Sequence, residues 1–102
     1  DENKQQVDGF TKDVMQINDL ESKFKSFGWF TQKVDGHDVE AIFEAIEKAK
    51  QQKDKPSMIV LNTIKGKGVS IWESKITNHN SPITTEQLSI ALEELKKQFS
   101  EI

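Results

Sequence analysis

The chain has no cysteine and no tyrosine, and only two prolines, two histidines and five glycines in 102 residues. Without cysteine there is no disulfide framework, no thiolate zinc ligand and no thiol nucleophile, and a reducing, cytoplasmic setting is the expectation. No apolar run approaches the ~20 residues of a membrane-spanning helix, and no signal peptide is visible, so no membrane partner is expected. Positive charge is not in excess: 14 Lys and Arg against 17 Asp and Glu give a net charge of −3. That balance argues against a general nucleic-acid surface. No aromatic and basic residues interleave as a base-stacking platform either. Hydrophobic residues make up only 34% of the chain and charged residues 30%. Such a length bounds one small domain with a modest core, and a neighbouring segment or chain is expected to complete it. The sequence opens at Asp1, without Met and in loop-like residues, and is expected to be a piece of something longer.

What is present is organised around Met58–His79, MIVLNTIKGKGVSIWESKITNH. It begins with the continuous apolar run Met58–Leu61, as a strand covered on both faces would. Open α/β sheets place their ligands beyond the C-terminal ends of such strands. There stands Lys65-Gly66-Lys67-Gly68, two cations and two residues without Cβ, a loop expected to approach a phosphate closely. The GxxxxGK[ST] spacing of a phosphate-binding Walker loop is absent, and the same pattern also describes an exposed basic turn. His79, fourteen residues after Lys65, is placed to fold back over the same anion.

The flanking pattern supplies the frame. Asp1, Glu2, Asn3 and Gln5 are hard oxygen donors of the type magnesium or calcium takes, although a polar N-terminal stretch is more often a solvated end. Asp8-Gly9 signals a turn. Asn18–Phe27 reads as a short helix capped by Asn18, with Glu21 at the capping-box position and Gly28 at its C-terminal end. Trp29–Val34 reads as a strand. Asp38 caps a helix over Val39–Gln52, whose apolar stripe is Val39, Ile42, Phe43, Ile46 and Ala49. Pro56 ends that region, and Ser57–Thr63 is the second strand. Strand, helix and strand form a parallel βαβ unit, which two strands alone do not stabilise. Lys65–Pro82 shows no periodicity and reads as a long loop of the functional kind. Thr84, with Gln87 in the capping box, starts a last helix whose apolar face is Leu88, Ala91, Leu92, Leu95 and Phe99.

Phe27-Gly28-Trp29, Val34-Asp35-Gly36-His37-Asp38, Lys55-Pro56-Ser57, Thr63-Ile64-Lys65-Gly66-Lys67-Gly68 and His79 together resemble transketolase, in the order and spacing of that family. The similarity covers nearly the whole chain and falls on the last part of the thiamine-diphosphate-binding domain, lacking the upstream Gly-Asp-Gly half. It implies an α/β fragment of a three-layer fold with a mainly parallel sheet. The implied activity is transfer of a two-carbon ketol unit between sugar phosphates, with thiamine diphosphate and Mg²⁺ or Ca²⁺. By resemblance, Lys65 approaches the cofactor diphosphate, and His79 touches both cofactor and donor sugar and takes part in catalysis. The Asn3 side chain and the Gln5 backbone carbonyl are implied metal ligands. Two ligands are few for an octahedral ion, so little metal affinity is expected of the fragment alone. The family usually has Gly after the histidine, where this chain has Asn80, a residue that also tolerates the left-handed turn. His37, Asp35 and Asp38 read as turn and cap residues, and Lys67 as a solvated lysine. Trp72 reads as either a lid or a core anchor. The implied partner is a pyrimidine-binding domain or C-terminal transketolase subunit, in a homodimer or heterotetramer, and the isolated fragment is expected to be inactive. The rival reading is a non-catalytic α/β interaction module with a phosphate-docking basic loop.

Overall fold

The computed structural model describes residues 1–73 and 75–100. In chain order its elements are β1 (Gln5–Gln6), β2 (Gly9–Phe10), α1 (Thr11–Val14), α2 (Leu20–Ser26), β3 (Phe30–Asp35), α3 (Val39–Gln51), β4 (Ser57–Asn62), α4 (Ser70–Glu73) and α5 (Thr85–Ser100). They fall into two compact units. One comprises Asp1–Asn3 with Met15–Thr63, and the other Lys4–Val14 with the chain from Ile64 onward.

The first unit is the expected βαβ. β3 and β4 pair in parallel, from Phe30 opposite Ser57 to Asp35 opposite Asn62. Side chains alternate across a strand, so Gln32, Val34, Ser57, Ile59 and Leu61 share one face. α3 covers that face: the Gln32 amide donates to the Ala45 carbonyl at 2.8 Å, and the Ser57 hydroxyl reaches the Ala49 carbonyl at 3.5 Å. Val60, on the opposite face, is buried at 4% exposure. α2 also packs against both strands, with Phe24 edge-on to Trp29 at 5.1 Å between ring centres. A strand contacted from both sides accounts for the unbroken apolar run of Met58–Leu61.

Three readings of this unit change. The cap of α2 is Asp19, not Asn18: its carboxylate accepts the Ser22 amide at 3.2 Å, while Asn18 sits before it at a φ of 60°. Asn and Asp both cap well, and the left-handed turn at Asn18 decides which one faces the helix. The N-terminal residues are not simply a solvated end. Glu2 bridges Asn62 in parallel, its amide donating to the Leu61 carbonyl at 2.8 Å and its carbonyl accepting from Thr63 at 3.3 Å. The Glu2 side chain reaches past β4 to Lys33, 2.7 Å away. Finally, α3 carries two apolar stripes rather than one. Ala45 is buried, with Ile42 and Ala49 half-buried beside it. Val39, Phe43 and Ile46, at i, i+4 and i+7, stand 78%, 64% and 42% exposed.

In the second unit, β1 and β2 pair antiparallel through a turn at Val7-Asp8, as the Asp8-Gly9 signal indicates. Lys4 enters this hairpin at a φ of 64°, uncommon for a residue with a Cβ. The long loop contains one helical turn, α4. α5 starts in a complete capping box: Thr84 Oγ1 accepts the Gln87 amide at 3.2 Å, and Gln87 Oε1 accepts the Thr84 amide at 3.0 Å. Ala91 and Val69 are the buried apolar residues here, while Leu88, Leu92 and Phe99 of α5 are 48%, 47% and 70% exposed. Among the described residues, no helix is long and apolar enough to cross a membrane.

Candidate functional site

The basic loop lies in the second unit, where its backbone does something other than the pattern implies. Gly66 and Gly68 take φ of 78° and 98°, as expected. Their missing Cβ atoms, however, make room for protein rather than for a ligand. A Cβ on Gly66 would stand 2.8 Å from Trp72 Cβ and 2.9 Å from the Trp72 carbonyl atoms. At Gly68 the nearest atoms belong to Leu95 and Gln98 of α5. The amides are also engaged. Lys67 donates to the Ile64 carbonyl at 3.1 Å, Val69 to the Gly66 carbonyl at 3.2 Å, and Gly68 to Glu73 Oε1 at 2.8 Å. Lys67 lies 3.8 Å from that same carboxylate. A carboxylate of the chain itself thus occupies the position at Gly68 where the glycine pattern leads one to expect phosphate. Glu73 is one of the residues that the sequence alone does not single out.

The groups left for an anion are side chains. Lys65 and His79 come together, with Nζ 3.1 Å from Nδ1. Lys65 is half-buried and His79 exposed. An ammonium beside an imidazole is a nitrogen donor set with no acidic member, the chemistry that suits a diphosphate oxygen. The turn that carries His79 is tied to α4, because Asn78 Nδ2 donates to the Trp72 carbonyl at 2.8 Å. Trp72 therefore anchors both ends of the site, under Gly66 and against Asn78. Positive φ among the described non-glycine residues occurs only at Lys4 and Asn18, so Asn80 accommodates the turn after His79 without a left-handed backbone.

Two further ties hold the loop from α5. Ser70 donates through its amide and hydroxyl to the Glu94 carboxylate, at 2.7 and 2.5 Å. These bonds, the hydroxyl first, hold the Glu94 carboxyl below its ordinary pKa. Gln98 donates to the Gly68 carbonyl at 2.8 Å. Neither residue stands out in the sequence, since both sit on what reads as the polar face of an amphipathic helix.

Asn3 and Gln5 fall in different units. The Asn3 amide donates to Asp1 Oδ2 at 2.7 Å. Their oxygens are of the kind Mg²⁺ and Ca²⁺ accept, but two are fewer than an octahedral shell requires. Among the described residues, no group of three or more His, Cys, Asp or Glu could hold a metal. The donor chemistry fits a divalent cation whose remaining positions are filled by water or phosphate oxygens.

The remaining candidates take structural roles. Asp35 accepts the His37 amide at 2.9 Å and Asp38 caps α3 by accepting from Ala41 at 3.0 Å. A separate groove in the first unit is lined by residues of α2 and β3 and the turn between them, together with Lys55. None of the site residues lines it.

The chain thus combines a parallel βαβ unit with a following loop that brings a lysine and a histidine together, an α/β arrangement. The family model described as "Transketolase, thiamine diphosphate binding domain" matches residues 1–100, and the chain belongs to that family. It is 47% identical over 98 residues to the 6-deoxy-6-sulfo-D-fructose transketolase subunit SqwG of Clostridium sp. (strain MSTE9), covering 96% of this chain and 36% of that protein. It is 34% identical over 98 residues to an apulose-4-phosphate transketolase subunit of Actinobacillus succinogenes, covering 96% and 35%. A crystal structure of a transketolase mutant from Pichia stipitis superposes with a TM-score of 0.65 at 23% identity, over 98% of this chain and 18% of that one, and it shares the fold. The chain thus spans about a third of the length of the two subunits it matches.

Proposed function

We propose that the chain is part of a transketolase that moves a two-carbon ketol unit between sugar phosphates, using thiamine diphosphate and a divalent cation, Mg²⁺ or Ca²⁺. The carrying observation is the convergence of Lys65 and His79 at 3.1 Å in a chain of this family. When bound, thiamine diphosphate supplies the nucleophilic carbon and the electron sink for C–C cleavage. Lys65 holds the diphosphate as a point charge. His79 hydrogen-bonds a diphosphate oxygen or a donor-sugar hydroxyl and orients that sugar for reaction. Asn3 and Gln5 contribute two oxygens to the cation, and the rest of the shell comes from elsewhere in the parent protein and from the diphosphate. The activating half-site is supplied by a pyrimidine-binding domain or second subunit, so the isolated chain is inactive. Two relatives are named as subunits, which supports an assembly of that kind, and the cytoplasm is its proposed location.

The names of those relatives refer to a sulfonated ketose and a phosphorylated sugar. An anionic ketose is therefore the proposed substrate class, with both sulfonate and phosphate donors to be assayed. The non-catalytic module retains one supporting observation, the exposed stripe Val39, Phe43 and Ile46. The same stripe also serves the enzyme reading, as a surface for the remainder of the parent protein.

The test is calorimetric titration of thiamine diphosphate into the parent protein with Mg²⁺ present. Lys65→Met and His79→Ala are each expected to weaken binding about tenfold or more, the equivalent of roughly 1.4 kcal/mol. Unchanged affinity in both variants, or ketol transfer by the pure 102-residue chain, overturns the proposal.

A further inference from the structure

The contact between Lys65 and His79 has a direction. A lysine ammonium carries three N–H groups and no lone pair, so it can only donate. With Nζ 3.1 Å from Nδ1, Nδ1 must turn its lone pair toward Lys65. The other tautomer would set N–H against N–H. In the neutral ring the proton then sits on Nε2, because the bond made by one imidazole nitrogen decides the state of the other. We infer that Lys65 is a positioning residue for His79, fixing the Nε2–H tautomer so that the ring presents a donor on its outer nitrogen.

The functional consequence rests on the thiamine-diphosphate reading above. An Nε2–H donates to an anionic diphosphate oxygen or to a sugar oxygen. It cannot accept a proton at Nε2 as a general base while that nitrogen already carries one. Lys65 thereby acts in two directions, as a charge toward the diphosphate and as the group that sets what His79 offers. The neighbouring Lys67 does not substitute for it, since Lys67 lies against Glu73 instead.

The experiment is ¹⁵N NMR of the full chain at about pH 8, above the ordinary histidine pKa of ~6.5, reading the imidazole tautomer from long-range ¹H–¹⁵N correlations. The chain has two histidines, so His37→Gln assigns the signals. Wild type is expected to show a single Nε2–H pattern for His79. Lys65→Arg, which still only donates, should keep that pattern. Lys65→Met should lose it and give the mixed tautomers of an unconstrained imidazole, with the His37 signals and the amide spectrum unchanged. An Nδ1–H pattern in wild type, or a wild-type pattern surviving in Lys65→Met, overturns the inference. The outcome is independent of the function test: failure of the parent protein to bind thiamine diphosphate removes the proposed function and leaves the tautomer as measured.

Discussion

The two units are built on different principles. The first is held by regular structure: a parallel strand pair, a helix whose carbonyls are reached from both strands, and Val60 and Ala45 at its centre. The second is held at its candidate site by individual side chains. Glu73, Glu94, Gln98 and Asn78 each bond the backbone of a loop or helix turn that would otherwise have few partners. Repetition builds the scaffold, and the site depends on a few separate contacts. A site of this kind is sensitive to single substitutions where the scaffold is tolerant.

The sharpest way to break that contrast compares two glycines of similar backbone. Gly28 in the first unit and Gly66 in the second have φ of 88° and 78°. Gly28 has nothing within 4 Å of a built Cβ, whereas Gly66 faces the Trp72 backbone at 2.9 Å. Gly28→Ala should cost about 1 kcal/mol, the left-handed strain alone. Gly66→Ala should cost about 2–4 kcal/mol once overpacking is added. Urea denaturation followed by tryptophan fluorescence checks both, and equal costs would remove the distinction drawn between the units.

A smaller effect sharpens it. Asp38 caps α3 through the Ala41 amide and Thr84 caps α5 through the Gln87 amide. Asp38→Ala and Thr84→Ala should each cost about 1 kcal/mol. Hydrogen exchange should show where the damage spreads. In the second unit it is expected to reach Ser70, because α5 carries Glu94; in the first it should stay within α3. Protection at Ser70 that survives Thr84→Ala would argue that the loop holds itself.

The smallest expected effect is acidic. Hydrogen bonds from Ser22 lower the Asp19 pKa from its ordinary 3.8, and those from Ser70 lower the Glu94 pKa from 4.5. A lowered folded value means that each contribution to stability is present above the ordinary pKa and lost as pH falls through the lowered one. Acid should therefore release a helix cap in the first unit and an α4–α5 tie in the second. The Ser22 and Ser70 amide shifts, followed from pH 6 to about 2, should each move below the ordinary carboxylate pKa. A Ser70 shift centred at or above 4.5 would show that the Glu94 bonds do not persist in solution.

Legibility in the sequence follows the same division. Val39–Gln51 and Thr85–Ser100 are readable because periodicity and caps repeat the same message. β4 is readable from one apolar run and a preceding proline. The cap of α2 falls one residue from its expected place, since Asn18 and Asp19 are both competent and the choice lies in a φ angle. The second apolar stripe of α3 merges with the first in the sequence, because helical spacing does not say which side has a neighbour. Lys65 and His79 are singled out by the family pattern, and their side chains lie 3.1 Å apart. The glycines between them carry the right backbone signal and the wrong neighbour: composition announces a left-handed turn, but only the three-dimensional structure says that Trp72 fills the space.

The Ser70–Glu94 and Gly68–Gln98 bonds join residues 24 and 30 positions apart. They close the loop before any ligand arrives. The conformational entropy of ordering Lys65–Ser70 is then lost during folding rather than during association. If Lys65 holds an anion as proposed, its affinity is partly stored in α5, a helix that supplies neither Lys65 nor His79. Loosening that helix would weaken binding with every group that meets the anion still in place.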